Sequence, residues 1–277
     1  MTFNTIEISD ALGEPLLLFD FAVGLAHFRY TTADRIITFS SNDFAPAAIQ
    51  RAAISQTSDV RRQALKVTAP RDTEIATLYA STPPSAPVAL TIWAAHYDDP
   101  DQQFIVDWMG RVTAPRWVNS VVELSCEPAY TSVQTLGLRR RWQRGCPHVL
   151  YGASCGAAKT SFRILTTLSA VSGFDLTSSD FALLPDDSYR GGFIEWTNAD
   201  GITQQRSIDA HVGNTITINY GADEIVPGLS LYAYRGCDHT MNTCDSVFNN
   251  LTGAGTGGYG GTPYIPTINP FNGDPVF

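Results

Sequence analysis

Four of the five cysteines lie in two pairs that are far apart in the sequence, so a fold that gathers them must close two distant loops. Cys146 and Cys155 enclose residues 147–154, and Cys237 and Cys244 enclose residues 238–243. Each pair lies in a stretch rich in Gly, Pro and polar residues. Such loops can bend thiolates towards a common point, as metal and iron–sulfur sites require.

Three interpretations of these pairs stand side by side. The first is two disulfides, but the chain start lacks the basic and apolar segments of a secretory signal, so we expect a reducing cytoplasm. The second is a structural zinc site, although zinc knuckles usually space their ligands two to four residues apart and neither pair does. The third is an iron–sulfur cluster held by four thiolates, although the spacing matches neither ferredoxin pattern.

The fifth cysteine is expected to be a core residue. Cys126 shares one face of a strand pattern with Val122 and Leu124, and a buried cysteine behaves as a small hydrophobic residue. His148 and His239 each follow a cysteine by two residues and could be ligands. Because four thiolates already complete a site, we expect both histidines to lie beside the ligands.

Alternation of apolar and polar residues recurs along the chain and predicts half-buried antiparallel strands. The clearest runs cover residues 88–92, 104–112, 121–126 and 215–220. Phe193–Trp196, followed by the turn residues Asn198–Gly201, predicts a hairpin. Two short helices are predicted, at Ala45–Ile54 and Ser132–Trp142. The fold class is therefore expected to be mainly β, with several domains.

Three regions are predicted from these patterns. Residues 1–125 form a β-rich N-terminal domain, residues 126–165 plus 236–277 form the cysteine-bearing region, and residues 166–235 form an inserted β domain. The tail from Gly253 is rich in Gly and Pro and has too little apolar surface to fold alone. We therefore expect it either to be laid against something else or to be mobile.

Composition excludes some classes of function. Only 16% of the residues are charged and the net charge is −9, which argues against nucleic-acid binding by the whole chain. Of 18 basic residues only Lys66 and Lys159 are lysines; an arginine bias is typical of interfaces, and codon usage explains it equally well. The longest apolar stretch, Leu16–Phe28, is too short for a membrane span and is interrupted by Asp20.

Catalytic motifs are not found in the sequence. It contains no Gly-x-Ser-x-Gly elbow, no phosphate loop and no dinucleotide fingerprint, so we predict no catalytic residues and no enzyme. The basic run Arg139–Arg141 with Arg144 directly precedes Cys146. It is either a solvated loop, a source of positive charge beside anionic thiolates, or part of an arginine-rich interface.

The two cysteine segments together resemble a known family. The segment RRRWQRGCPHVLYGASCGAAKTSF (139–162) is similar to the Cys-Pro-His-x-Leu-Tyr-Gly-x-x-Cys-Gly signature of siphophage tail-tip proteins. These are the minor tail protein L family of lambda-like phages and the related hub protein of gene transfer agents. The segment YRGCDHTMNTCDSVFNNLTGAGTGGYGGTPYIPTINP (234–270) resembles the family's closing pattern of two cysteines, Phe-Asn-Asn and a Gly-Gly-aromatic-Pro ending. A departure is the β pattern of about 70 residues between the pairs, which we interpret as an inserted or permuted domain.

The resemblance implies a non-enzymatic structural protein with a [4Fe–4S] cluster in a small irregular domain. By the motif match, the ligands are Cys146, Cys155, Cys237 and Cys244, with zinc as the alternative metal. The implied assembly is a homotrimeric tail-tip or baseplate hub. It lies between the distal tail protein and the central fibre protein, which binds the receptor, and the tape measure protein is a further candidate partner. It implies a virion location after assembly in the bacterial cytoplasm, with no direct nucleic-acid contact. Two rival functions stay open: an iron–sulfur enzyme or electron-transfer protein, and a secreted β-sandwich binding module with two disulfides.

Overall fold

The chain is mainly β, as the alternating pattern predicted, and its strands form two sheets. The computed structural model describes residues 3–9, 13–54, 64–80, 82–97, 99–134, 137, 142–252 and 257–266. Residues 1–135 with 197–204 form one compact unit, and residues 136–196 with 205–277 form another. The finer division of the second unit into a cysteine-bearing region and an inserted β domain stays a prediction.

The first unit contains a nine-stranded sheet in the order β3-β4-β2-β1-β7-β8-β9-β6-β5. Its strands are β1 (Pro15–Val23), β2 (Ala26–Thr31), β3 (Ile37–Phe39), β4 (Asn42–Pro46), β5 (Gln50–Arg51), β6 (Leu65–Pro70), β7 (Ala89–His96), β8 (Ile105–Val118) and β9 (Val121–Pro128). Neighbouring strands are antiparallel except β2 and β4, which are parallel. Two short helices accompany the sheet, α1 (Phe3–Glu7) and α2 (Glu74–Leu78).

Strand β1 is buried on both faces, which explains the long apolar stretch at Leu16–Phe28. Leu16 and Leu18 pack on one side of the sheet, and Phe19 and Phe21 belong to the main core on the other. A strand covered on both faces needs a near-continuous apolar run rather than strict alternation. Among the described residues, no helix has both the length and the apolar character needed to cross a membrane.

The helix predicted at Ala45–Ile54 is wrong, because the structure has strands and a loop there. Ala45 pairs with Tyr30 of β2, the N–H of Ala47 donates to the carbonyl of Thr31, and Gln50 pairs with Thr68 of β6. These sheet hydrogen bonds outweigh the weak local preference for helix. The second predicted helix begins as a 3-10 helix at Ala129–Gln134, and residues 135, 136 and 138–141 lie outside the described part of the chain.

The second unit contains a seven-stranded sheet in the order β10-β16-β13-β14-β15-β12-β11. Its strands are β10 (Arg163–Thr167), β11 (Ala170–Ser172), β12 (Asp175–Thr177), β13 (Phe193–Thr197), β14 (Thr203–Val212), β15 (Thr215–Ile218) and β16 (Ser230–Tyr234), followed by helix α3 (Met241–Ser246). The predicted hairpin is confirmed as β13–β14. Its turn is held by the Asn198 side chain, whose oxygen accepts from the N–H groups of Asp200 and Ile202. Residues 197–204, at the tip of the hairpin, belong to the first unit, and Ile202 is part of the core of that unit.

Candidate metal centre

The first cysteine pair lies in a loop built from tight turns. The N–H of Gly152 donates to the carbonyl of Val149, and the N–H groups of Cys155 and Gly156 both donate to the carbonyl of Gly152. Tyr151 has a positive φ of 59°, and Gly156 one of 74°. These left-handed residues turn the chain sharply, so that Cys155 comes back towards Cys146.

Tyr151 anchors this loop to the second sheet. Its hydroxyl donates to the carbonyl of Arg235 at 2.7 Å, directly after strand β16. Its ring contacts four other aromatic rings, those of Phe162, Phe193, Tyr234 and Phe248. Tyr151 is the tyrosine of the Cys-Pro-His-x-Leu-Tyr-Gly-x-x-Cys-Gly signature, but the sequence indicated no role for it beyond its place in that motif.

The second cysteine pair follows strand β16 and enters helix α3. Asp238 caps the turn between the two cysteines, because its carboxylate accepts from both the N–H and the hydroxyl of Thr240 at 2.9 Å. Thr240 in turn is the N-cap of α3 and accepts from the N–H of Thr243. Cys244, on α3, is buried. The two pairs meet at the backbone, where the N–H of Cys146 donates to the carbonyl of His239 at 2.8 Å.

The described part of the glycine-rich tail, residues 257–266, lies across both ends of the first loop. The N–H of Gly258 donates to the carbonyl of Cys155 at 2.9 Å, and the N–H of Thr262 donates to the carbonyl of Gln143 at 2.8 Å. The expectation that the tail is laid against something is confirmed for these residues. A Cβ at Gly257 would lie 2.5 Å from the carbonyl oxygen of Cys155, so glycine is required for this close approach.

The four predicted ligand cysteines line one small cavity. The cavity has a volume of about 20 Å³, the space of roughly one water molecule. It is lined by Cys146, Cys155, Cys237 and Cys244 together with His148, Leu150, His239, Thr240, Phe248, Asn250 and Gly258. All four thiols are free, as is that of Cys126. Within the described residues, no three His, Cys, Asp or Glu side chains are already arranged as a site for one metal ion. The thiols therefore share a cavity wall without converging on one ion-sized point.

Three of the four sulfurs accept hydrogen bonds from N–H groups. The N–H of Gly260 donates to the sulfur of Cys146 at 3.3 Å, and the N–H of His239 donates to that of Cys237 at 3.4 Å. The side-chain amide of Asn250 lies 3.9 Å from the sulfur of Cys155. Such donors favour the anionic thiolate over the thiol.

Burial and repulsion from neighbouring sulfurs make the anionic form of Cys237 and Cys244 costly when no cation is present. Burial first, and then the neighbouring sulfurs of Cys237, Cys146 and Cys155, together raise the pKa of Cys244 to about 11. The pKa of Cys237 is also raised, first by burial, and the hydrogen bond from His239 opposes the rise. A bound cationic centre reverses this balance, because it stabilises thiolates directly.

The remaining predicted residues are placed as follows. Cys126 is fully buried in the core of the first unit, as predicted, and burial raises its pKa to about 12. His148 and His239 both lie beside the cavity, and the Nδ1 of His148 is 3.0 Å from the carbonyl oxygen of Gly258. Arg144 donates to the carbonyl of Ile265 through two nitrogens. Arg139–Arg141 lie outside the described residues.

Two family models match separate parts of the chain. Residues 22–158 match the model of the baseplate hub protein, N-terminal attachment domain. Residues 187–269 match the model described as phage conserved hypothetical protein BR0599. The first match includes Cys146 and Cys155, and the second includes Cys237 and Cys244. The matches therefore support a structural component of a phage tail or baseplate.

Two further proteins are similar to the chain. A protein from Xylella fastidiosa (strain 9a5c), itself uncharacterised, is 30% identical over 121 residues, which is 43% of this chain and 24% of that protein. The chain thus matches about a quarter of the length of this relative. A chain in the virion of a native gene transfer agent (GTA) particle is similar in structure, with a TM-score of 0.78 at 16% identity, covering 100% of this chain and 99% of that one. At this identity the likeness shows the fold.

Proposed function

We propose that the protein is a non-enzymatic tail-tip or baseplate hub subunit in which Cys146, Cys155, Cys237 and Cys244 hold a structural [4Fe–4S] cluster. The observation that carries the proposal is the cavity that all four thiols line, although the two pairs are separated by residues 156–236. The matches to the baseplate hub model and to a second phage family support the setting.

The donor set suits an iron–sulfur cluster. Four soft thiolates with no carboxylate in the cavity wall are the ligands that zinc and iron–sulfur clusters select. Hydrogen bonds from N–H groups to the sulfurs are among the features that tune such clusters. Zinc is the alternative with the same donor chemistry. The motif resemblance favours iron, and metal analysis separates the two.

The role of the site is to stabilise a region that has little core of its own. Helix α3 is short, the first loop consists of turns, and the tail is rich in glycine. When bound, the cluster supplies ligand bonds that join two segments of the chain. One precedes strand β10 and carries Cys146 and Cys155; the other follows strand β16 and carries Cys237 and Cys244. Because the unfolded chain holds no such site, the binding free energy becomes folding free energy.

The assembly proposed for this subunit is a homotrimeric ring at the tip of a virion tail. Its proposed neighbours are the distal tail protein and the central fibre protein, with the tape measure protein as a further candidate. The match of residues 22–158 to an attachment domain supports a joining role for the first unit. Light scattering of the purified chain tests the trimer, and co-purification with the distal tail protein of the same particle tests the contact. A monomer that does not bind that protein contradicts this part of the proposal.

The cluster is tested by purifying the protein without oxygen and recording its visible spectrum. We expect brown protein with a broad band near 400 nm. Replacing any one of the four cysteines with serine should remove most of this band, because each supplies one ligand. Cys126→Ala is the matched control, since that residue lies in the core of the first unit and should leave the band unchanged.

The same preparation separates the rival functions. Colourless protein containing zinc contradicts the cluster. One free thiol in denatured, unreduced protein indicates two disulfides, whereas five free thiols after metal removal exclude them. Turnover of a substrate coupled to reversible reduction of the cluster contradicts a purely structural role.

A further inference from the structure

One buried polar side chain contacts the cysteine cavity without being a proposed ligand. Asn250 is only 8% exposed. Its side-chain nitrogen donates to the carbonyl oxygen of Cys155 at 2.6 Å and lies 3.9 Å from the sulfur of the same residue. A buried amide held this closely restricts both the backbone and the thiol of Cys155.

The backbone of Asn250 contacts the other cysteine pair. Its N–H donates to the carbonyl of Cys244 at 3.0 Å, and its own carbonyl accepts from the thiol of Cys244 at 3.4 Å. One residue therefore joins Cys155 of the first pair to Cys244 of the second.

The preceding residue turns the chain so that Asn250 can reach the cavity. Asn249 has a positive φ of 45°, and its N–H donates to the carbonyl of Asp245 at 2.9 Å, at the end of helix α3. Asparagine is among the residues that tolerate this left-handed conformation. The side chain of Asn249 is exposed, so the two adjacent asparagines have different roles.

We infer that the Asn250 side chain is a positioning residue that orients Cys155 as a thiolate ligand and couples the two cysteine pairs. Within the part of the chain that the structure describes, the other N–H donors to these sulfurs, from Gly260 and His239, belong to the backbone. The contact between the Asn250 amide and Cys155 can thus be removed by replacing a side chain. The inference rests on the ligand set proposed above, and groups that orient metal ligands typically change metal affinity by about 10–100-fold when lost.

The first test measures how fast the assembled protein loses its cluster. Asn250→Asp keeps the size of the side chain and replaces its N–H donor with an acceptor. Asn250→Leu removes the donor and the acceptor of the side chain. Excess iron chelator is added anaerobically and the band near 400 nm is followed. We expect both variants to lose the band about tenfold faster than the wild type, and Asn249→Asp to behave as the wild type. Loss within twofold of the wild-type rate in both Asn250 variants overturns the inference.

The second test does not need a cluster. The metal-free protein is treated briefly with iodoacetamide, and labelling of each cysteine is measured by peptide mass spectrometry. We expect the labelling rate of Cys155 to change several-fold in both Asn250 variants, because the contact that orients its thiol is lost, while that of Cys146 stays unchanged. Equal increases at all four cysteines indicate loss of the loop structure and overturn a specific role.

The two tests separate the inference from the proposed function. A wild-type protein that binds no cluster contradicts the proposed cofactor, and the labelling pattern then decides the role of Asn250 alone. A wild-type protein that binds the cluster while Cys155 reactivity is unaffected by Asn250→Leu supports the function and overturns the inference.

Discussion

Replacement of Gly257 by alanine should release the tail from the first cysteine loop. The added Cβ would lie 2.5 Å from the carbonyl oxygen of Cys155, 2.6 Å from its carbonyl carbon and 2.7 Å from the nitrogen of Gly156. All three atoms belong to the backbone, so no flexible side chain can move aside. The tail must shift by about 1 Å, since ordinary contacts begin near 3.4 Å.

Such a shift breaks the hydrogen bonds from Gly258 to the Cys155 carbonyl and from Gly260 to the Cys146 sulfur. At about 1 kcal/mol for each bond, with at least about 1 kcal/mol for the steric conflict, docking of the tail weakens by about 3 kcal/mol. Because about 1.4 kcal/mol corresponds to a tenfold change, the docking equilibrium shifts by roughly a hundredfold.

Amide hydrogen exchange of peptides covering residues 257–266 measures this local opening. We expect exchange at Gly258, Gly260 and Thr262 to accelerate by roughly a hundredfold in Gly257→Ala. Gly221→Ala is the matched control, because its Cβ would meet only the Phe174 ring, at 3.8 Å. Unchanged exchange in Gly257→Ala would refute the close approach of the tail to Cys155.

Three further predictions concern the second unit. Tyr151→Phe removes the hydrogen bond to the Arg235 carbonyl and should lower the unfolding free energy by about 1–2 kcal/mol in urea titrations, with the aromatic packing retained; an unchanged midpoint contradicts the anchoring role. Arg206→Lys replaces a buried guanidinium that lies 5.2 Å from the centre of the Trp196 ring and 4.3 Å from that of Tyr220. The change should lower the unfolding free energy by about 1–2 kcal/mol because an ammonium does not stack in this way; a cost within about 0.5 kcal/mol of zero, the scatter of a surface change, argues against it. Burial raises the pKa of Glu195, but hydrogen bonds from Lys159, Gln205 and Tyr234 outweigh burial and lower this pKa below the ordinary 4.5. The ionised carboxylate therefore stabilises the folded protein fully above pH 4.5, and this stabilisation is lost as the pH falls below that value. Glu195→Gln should therefore show a shallower loss of stability on acidification than the wild type, and parallel curves contradict the assignment.

The strands predicted at residues 88–92, 104–112, 121–126 and 215–220 could be found from the sequence because apolar and polar residues alternate along them, as in a strand that buries one face. Val122, Leu124 and Cys126 alternate with polar residues and are all fully buried in β9. The region at Ala45–Ile54 could not be predicted, because its conformation depends on pairing with β2 and β6, which are distant in sequence. Local propensity is a weak guide where such pairing is available.

The meeting of the two cysteine pairs was an expectation from motif resemblance, and the structure places all four thiols on one cavity. The residues that support them lie within the family motifs, but their roles were not found from the sequence. Tyr151 acts through a bond to Arg235, 84 positions away, and Asn250 through one to Cys155, 95 positions away. Neither contact has a local signature, because each exists only after the tail, helix α3 and the first loop have come together.

Iron and acid-labile sulfide content of the anaerobically purified wild-type protein tests the central claim most directly. The proposed [4Fe–4S] centre predicts about four irons and about four sulfides per chain, both lost together when Cys146, Cys155, Cys237 or Cys244 is replaced by serine. One zinc per chain with no sulfide, or neither metal in protein whose four cysteines are paired as disulfides, would contradict it.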